Sequence, residues 1–303
     1  MEHLSVNSSK NAVFLNNHTV ELKHLDKFYS PSDDIPKKEI VEYYLKMAPF
    51  IVPHIRNKPF SMLHFPNGVG EPGFYQKQCP VNAPKWLKTI KLQSSSDLGY
   101  VNWCLVNNSA SIAYMVNRSV LEMHTWFSRL PNLEKPDIAV IDLDPSEENN
   151  FQEILTVAKA FRYIFENLKI YAVPKTSGKR GLHIYIPIKP IPFKDVQDYL
   201  IKICSVVYNS HNNLVTFERM KKNRKGKIYL DCVQNAMGKT LISPYSLRAQ
   251  KGFPVSAPLL WEELDNQNLL PKDFNIKNIF KRIEKTGDLF KDFYNKKQIL
   301  PKL

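Results

Sequence analysis

Four cysteines in 303 residues, Cys79, Cys104, Cys204 and Cys232, include no Cys-x-x-Cys pair, which argues against a zinc module and against a disulfide framework. No run of eighteen apolar residues occurs, so a membrane-spanning helix is excluded and no membrane partner is expected. A secretory leader is also missing, and the expected location is cytoplasmic, associated with the nucleoid. Internal repeats and low-complexity blocks are absent, which leaves one globular unit rather than a solenoid or a string of modules. The glycine-containing segment 177–183 lacks the terminal Lys-Ser/Thr of a P-loop, so that mode of nucleotide binding is excluded as well.

The residues that are present suffice for a core and suggest a site. Hydrophobic side chains make up 43% of the chain, enough for a substantial interior. Three apolar segments carry polar groups on one face only. In Ile-Ala-Val-Ile-Asp-Leu-Asp-Pro at 138–145, strand alternation sets Asp142 and Asp144 on the side of Val140, against Ala139, Ile141 and Leu143. Asp231 likewise opposes Ile228, Leu230 and Cys232, while His183 and Tyr185 oppose Leu182, Ile184 and Ile186. A sheet of these strands buries one face under helices and offers carboxylates and imidazole to a cleft.

An Asp-x-Asp pair alone reads first as a solvated turn. Here an apolar run leads straight into the pair, so both carboxylates start at a buried strand and end at its mouth. Three carboxylates converging there repel one another unless divalent cations lie between them. Hard oxygen ligands suit Mg²⁺ or Mn²⁺. Two such ions roughly 3.5–4 Å apart can hold the attacking and leaving oxygens of an in-line displacement.

The loop at 177–181 supplies complementary chemistry. Gly178 and Gly181 permit a tight path with exposed N–H groups, and Lys179 and Arg180 add positive charge, a combination suited to a triphosphate and also to an ordinary exposed hairpin connection. His183 follows two residues beyond Gly181 on the aspartate face, within reach of a phosphate held by the loop. Charge agrees with a polyanionic partner: 42 Lys and Arg against 29 Asp and Glu give +13. Six of these cations fall within 219–227, a basic approach to the Asp231 strand or a flexible charged hairpin.

Helical spacing predicts helices over 36–48, behind Ser32, Asp33 and Asp34 as possible caps, over 150–167 and over 194–208. Strands are predicted near 101–106, 112–116, 138–144, 169–173, 182–187 and 227–233. A polar tail ends near Lys10, a Pro-rich connector spans 187–192, and 273–295 returns to a basic amphipathic helical pattern.

At this point the ordered motifs carry a resemblance. Asp-Leu-Asp-Pro at 142–145, Thr-Ser-Gly-Lys-Arg-Gly-Leu-His at 176–183, Tyr-Leu-Asp-Cys-Val-Gln-Asn at 229–235 and Ser-Pro-Tyr-Ser-Leu-Arg-Ala at 243–249 are similar to motifs of the polymerase domain of bacterial DNA ligase D. That domain belongs to the archaeo-eukaryotic primase superfamily. Leu-Asp-Lys at 25–27, Glu-Tyr-Tyr at 42–44, Phe-Pro-Asn-Gly-Val at 65–69, Phe-Tyr-Gln-Lys at 74–77, Glu-Met-His-Thr-Trp at 122–126 and Pro-Val-Ser-Ala-Pro at 254–258 also fall in family order, so the similarity spans roughly 18 to 285.

The resemblance implies an α+β, archaeo-eukaryotic primase-like fold with central β-sheets, flanking helices and an RRM-like catalytic region. It implies a single domain over 11–295, with a phosphate- and template-binding region over about 11–125 and a catalytic region over about 126–295. The implied activity is template-dependent primer extension that fills gaps at DNA double-strand breaks in non-homologous end joining, with ribonucleotides often preferred and Mn²⁺ favoured over Mg²⁺, two ions in all. Asp142, Asp144 and Asp231 would be the catalytic metal ligands. Ser177, Arg180, His183 and Arg248 would hold the incoming nucleoside triphosphate, with His124 close by. Lys27, Lys37, Phe74, Tyr75 and Lys77 match positions for the downstream 5′-phosphate and the template base.

Family members commonly carry a small residue and then Lys where this chain has Lys179 and Arg180, so the loop here is bulkier. Implied partners are gapped or overhanging 5′-phosphorylated DNA ends, a Ku-like protein and a DNA ligase, whose signature this sequence lacks. Three other functions remain open. A metal-dependent nuclease would use the same aspartates without needing a triphosphate loop. A DxD glycosyltransferase would leave the basic and aromatic amino-terminal set unexplained. A non-catalytic DNA-end-binding module would have no use for the acidic triad.

Overall fold

Apolar residues at helical spacing from Ile40 onward build α1 (Lys37–Ile55) in the computed structural model, which describes residues 11–93 and 99–303. The polar tail expected up to Lys10 lies outside the described residues. The helix runs seven residues beyond the expected Ala48 and carries Pro49 and Pro53 inside it. An interior proline costs about 3 kcal/mol, and full burial of Ile51 and Ile55 offsets that cost. Ser32, Asp33 and Asp34 do not cap it, because Pro36 occupies the N-cap position. Asp33 instead accepts from the Ser30 hydroxyl and from the Gly252 N–H.

Ahead of this helix stand the hairpin of β1 (Ala12–Leu15) and β2 (His18–Glu21) and the short pair of β3 (Phe28–Ser30) with β4 (Ile35–Pro36). A first sheet follows. At its centre β5 (Pro59–His64) pairs with β9 (Val120–Thr125) on one side. On the other it pairs with β6 (Phe74–Gln76) and β8 (Tyr100–Leu105). The outer strands are β7 (Thr89–Gln93) on β8 and β15 (Leu241–Ile242) on β9.

The expected strand at 112–116 is instead part of α2 (Ser109–Asn117). Asn108 accepts from the Ser111 N–H while the Ser111 hydroxyl accepts from the Asn108 N–H, a reciprocal cap that sets the first helical turn. Ala110, Ile112, Ala113, Met115 and Val116 are all buried. Burial on nearly every side leaves no stripe by which such a helix can be told from a buried strand.

The second sheet carries the aspartates. β10 (Ile138–Asp144) leads through α3 (Phe151–Asn167) to β11 (Val173–Thr176) and β12 (Leu182–Pro187), then through α4 (Phe193–His211) to β13 (Val215–Thr216) and β14 (Ile228–Leu230). Its order is β11-β12-β10-β14-β13. Taking β10, β11, β12 and β14 as the four strands of a βαββαβ unit, the fourth lies beside the first, which is the expected RRM-like region. The strand expected at 169–173 begins only at Val173, and that expected at 227–233 ends at Leu230, where a turn of 3-10 helix begins at Cys232.

Alternation does what the sequence implies. Ala139, Ile141, Leu143, Leu182, Ile184, Ile186, Ile228 and Leu230 bury together against α3 and α4. The N-cap Asn150 holds the start of α3 through a reciprocal bond with Glu153. On the other face, Val140, Val173 and Tyr185 join the core built around α1 and the first sheet. The amphipathic stretch 273–295 is shorter in helix than expected: α5 (Ile279–Thr286), then a 3-10 turn at Phe293–Lys296.

One cysteine expectation is corrected. Cys79 and Cys104 form a disulfide with Cα atoms 5.2 Å apart. The Cys79 N–H donates to the Asn102 carbonyl, so the segment after β6 lies against β8 and brings the thiols together. Twenty-five residues separate the pair, and no spacing rule reveals it. Cys204 and Cys232 remain free and buried. Among the described residues, no helix is long and apolar enough to cross a membrane.

Candidate active site

Asp142 and His183 are register partners on β10 and β12, which places carboxylate and imidazole side by side. His183 Nε2 lies 3.4 Å from Asp142 Oδ1, and Lys175 Nζ donates to His183 Nδ1 at 2.8 Å. With Nδ1 accepting, the neutral ring carries its proton on Nε2, the nitrogen that faces Asp142. Burial, then the positive charges of Lys175, Arg248 and His124, hold His183 far below its usual pKa and so keep it neutral. Lys175 also donates to Ser256 Oγ, and its own pKa falls well below the usual lysine range through burial and the nearby Arg248.

The three aspartates lie at the end of this sheet, near enough for the charges of Asp144 and Asp231 to act on Asp142. The Asp231 N–H donates to the Asp142 carbonyl at 3.1 Å, which ties the two strand ends together. Burial and then the negative charges of Asp144 and Asp231 raise Asp142 to about 8, and Asp231 is raised also. Each of the other two aspartates has a partner: Arg224 Nη1 donates to Asp144 Oδ2 at 2.9 Å, and the Tyr229 hydroxyl donates to Asp231 Oδ1 at 3.1 Å. Among the described residues, no three His, Cys, Asp or Glu side chains are drawn together as a metal cage. The donor set nonetheless fits a hard divalent cation, since carboxylates that raise each other's proton affinity gain by sharing a positive charge.

Facing the aspartates is the loop 177–181. Ser177 Oγ accepts from the N–H groups of Lys179 and Gly181, closing a tight turn. Gly178 has φ +73°, and a Cβ there would meet Arg248 Cγ at 2.6 Å. A Cβ on Gly181 would collide with the Leu143 carbonyl oxygen, so this glycine lets the loop lie directly over the aspartate strand. Arg180 is exposed and donates to the carbonyls of Ser146 and Glu147 at 2.6 and 3.1 Å.

Glu122 organises the remaining charges. Fully buried on β9, it lies 3.1 Å from His124 Nε2, 3.3 Å from Arg248 Nη1 and 3.6 Å from Lys179 Nζ, and accepts from the Ala249 N–H. Burial pushes its pKa up, but the His124 hydrogen bond and the charges of Arg248 and Lys179 outweigh that and bring it to about 2. His124 is depressed in turn, chiefly by burial. The cleft bounded by these groups holds about 440 Å³ and is lined by Asp142, Asp144, Ser177, Arg180, His183 and Arg248, with His124 and Tyr75 opposite.

The amino-terminal set is more dispersed. Phe74 and Tyr75 are 51% and 61% exposed, which excludes a core pair. They point to opposite faces of β6: Phe74 stacks on His64 with ring centroids 4.8 Å apart, and Tyr75 meets His124 edge-on at 5.6 Å. Lys77 is exposed, its ammonium 5.9 Å from the Trp103 ring. Lys27 donates to the Pro66 carbonyl at 2.7 Å. Lys37 is buried and donates to the carbonyls of Lys23 and Asn117 at 2.7 and 2.6 Å. Burial, then Lys27, lowers it to about 8.

Sequence reasoning did not single out Glu122, Lys175 or Arg224. Glu122 stands inside the quoted 122–126 motif, and Arg224 inside the basic stretch 219–227, but neither position announces a buried contact. Arg224 is the inward member of that stretch, with its guanidinium 4.6 Å from the Tyr229 ring.

A cleft in which a basic loop confronts an acidic strand end suits transfer of a nucleotidyl group, and comparison with known proteins makes the class specific. The chain is a DNA nucleotidyltransferase of the primase–polymerase class. The family described as LigD, primase-polymerase domain, matches residues 36–290, and the chain belongs to that family. The Bacillus subtilis bifunctional non-homologous end joining protein LigD is 30% identical over 284 residues, covering 93% of this chain and 45% of that protein. The Mycolicibacterium smegmatis multifunctional non-homologous end joining protein LigD is 32% identical over 273 residues, 89% of this chain and 35% of that protein. The chain thus spans less than half the length of these two relatives. The polymerase domain of Mycobacterium tuberculosis Ligase D, solved in complex with DNA, superposes with a TM-score of 0.85 at 29% identity, covering 92% of this chain and 99% of that one.

Proposed function

We propose that this polymerase extends primers across gaps at 5′-phosphorylated DNA ends during non-homologous end joining, accepting ribonucleotides, with a Ku-like protein and a separate or fused ligase as partners. The observation that carries the reading is the cleft itself, where Asp142 and Asp144 face the loop 177–181 while Tyr75 stands exposed at the rim, and Asp231 is tied to the back of Asp142 through its backbone N–H. Asp142, Asp144 and Asp231 would hold two Mn²⁺ or Mg²⁺ ions. When bound, these ions supply electrostatic stabilisation of the transferring phosphoryl group.

The side chains have separable tasks. Arg248 and Lys179, fixed by Glu122, neutralise the triphosphate, and Arg180 extends that positive face toward solvent. His183 lines the triphosphate cleft as a buried, neutral ring that does not itself titrate near neutrality, and its Nε2–H, which faces Asp142, passes to a phosphate oxygen once a cation engages that carboxylate. Ser177 shapes the loop and retains its hydroxyl proton to donate. Tyr75, which lines the cleft, provides a ring for a template base regardless of its identity, and Phe74, on the other face of β6, offers an exposed ring to the strand beyond it. We treat 11–295 as one functional unit, because the cleft draws His124 and Tyr75 from before residue 126 and the aspartates from after it.

Lys27 and Lys37 are assigned to the downstream 5′-phosphate. Burial, then the charge of Lys27, lowers the pKa of Lys37, and a dianion beside the pair would relieve both costs. The Lys27→Ala, Lys37→Ala double variant is expected to lose the preference for phosphorylated over unphosphorylated gapped substrates and to keep extension of an open template–primer. Lys27→Ala alone, at an exposed position, is expected to move in the same direction. Extension measured on the two gapped DNAs checks this; an undiminished phosphate preference in the double variant places end recognition elsewhere.

A further inference from the structure

A second cavity, of about 480 Å³, opens beside α1 and shares no lining residue with the catalytic cleft. Ala48, Val52 and Pro53 and the ring of Tyr294 give it an apolar side; its charged lining is Arg56, Arg129 and Lys297, with no carboxylate. Behind it lies buried Asp137, which is 2.6 Å from Arg129, 3.0 Å from Lys297 and 3.5 Å from Lys58. Arg129 and Lys297 against one carboxylate leave a surplus of one positive charge before Lys58 and exposed Arg56 are counted.

Such a surplus is costly away from water, because buried charges are normally paired one to one. Lys58 displays the cost. Its ammonium is buried without a hydrogen-bond partner, and burial, partly offset by Asp137, brings its pKa to about 7. The same three cations lie 4.3, 5.8 and 5.5 Å from the centroid of the Tyr294 ring, for Arg129, Lys58 and Lys297 in turn. Asn108 and Ser109, at the amino-terminal end of α2, add polar groups to the lining. An anion at the mouth relieves the charge imbalance, and the apolar wall beside it suits more than a bare oxyanion.

We propose that this cavity binds a phosphorylated nucleotide unit, with its phosphate at Arg56, Arg129 and Lys297 and its less polar part against Val52 and Tyr294. The unit comes either from a free mononucleotide or from a DNA strand, since both present the same phosphate and base. The site is separate from the triphosphate loop and makes no use of the aspartates.

Hydrogen-exchange protection on the full chain tests this with three probes: deoxythymidine monophosphate, thymidine, and a short 5′-phosphorylated oligothymidylate. Protection of segments 49–58 and 294–298 is expected with a phosphate-bearing probe and not with thymidine. Protection by the mononucleotide identifies a free nucleotide as the ligand; protection by the oligonucleotide alone identifies a strand. Reversing the rim charges in an Arg56→Glu, Lys297→Glu variant is expected to weaken this protection by at least about tenfold while leaving protection of 177–183 in the cleft unchanged. The single Arg56→Ala variant, at an exposed position, is expected to weaken it in the same direction and serves if the double variant does not fold. The proposal is overturned if no phosphate probe protects these segments, if thymidine protects them equally, or if the folded variants retain parental affinity.

Discussion

Asp142→Ala is expected to lower primer extension by at least about a hundredfold while leaving DNA affinity within about twofold of the parent. Burial, then the charges of Asp144 and Asp231, raise the proton affinity of Asp142, a cost that a cation sharing those charges relieves. DNA contacts are assigned to other residues, so binding and chemistry separate. Asp231→Ala is expected to cost as much. The double variant should cost little more than either alone, because groups that act as one unit give strongly non-additive losses. Single-turnover extension with a labelled primer, beside equilibrium binding of the same DNA, measures both quantities. Residual extension within about tenfold of the parent in Asp231→Ala would contradict a shared role.

Glu122→Gln is expected to damage stability and nucleotide affinity together. Its carboxylate is buried and holds Arg248, Lys179 and His124. Removing the charge leaves buried Arg248 uncompensated, a loss of about 3–5 kcal/mol by analogy with broken buried pairs. Nucleotide KM is expected to rise because Arg248 and Lys179 no longer have a fixed position. The pH dependence follows in sign. Glu122 titrates near its ordinary 4.5 when unfolded and at about 2 when folded, so its contribution is fully present above 4.5 and is lost as pH falls from 4.5 to 2. The parent is therefore expected to lose stability over that window more steeply than Glu122→Gln. Denaturant midpoints at pH 6 and at pH 3 test this, and equal acid sensitivity in the two proteins would count against it.

Strand alternation made half of the site legible from the sequence. Asp142, Asp144, Asp231 and His183 share a face because the side-chain period of a strand is two, and a one-residue slip in any one of the three strands would have sent its polar residues into the α3–α4 core. The glycines of the loop were legible for a similar reason: Gly181 is required where a backbone must pass over the Leu143 carbonyl. Long-range contacts were not legible. Glu122 and Arg248 stand 126 positions apart, and only the pairing of β9 with β15 beside the loop brings them together. Lys175 is found only through the register of β11 on β12, which sets it opposite His183. The disulfide escaped for the same reason, since its two cysteines approach because the segment after β6 lies along β8 rather than through any spacing. At 112–116, apolar residues on every side concealed a helix whose one clear sign was the Asn108 to Ser111 cap.

The central claim, that this cleft adds nucleotides to a primer under template direction, is tested most directly by extending a labelled primer on a defined template with each of the four ribonucleotides and four deoxyribonucleotides singly, in Mn²⁺ and in Mg²⁺. The expected result is lengthening of the primer only with the nucleotide complementary to the template base, dependent on divalent metal and lost in Asp142→Ala. A primer that is shortened, or one that stays unchanged while the protein binds the DNA, would contradict it.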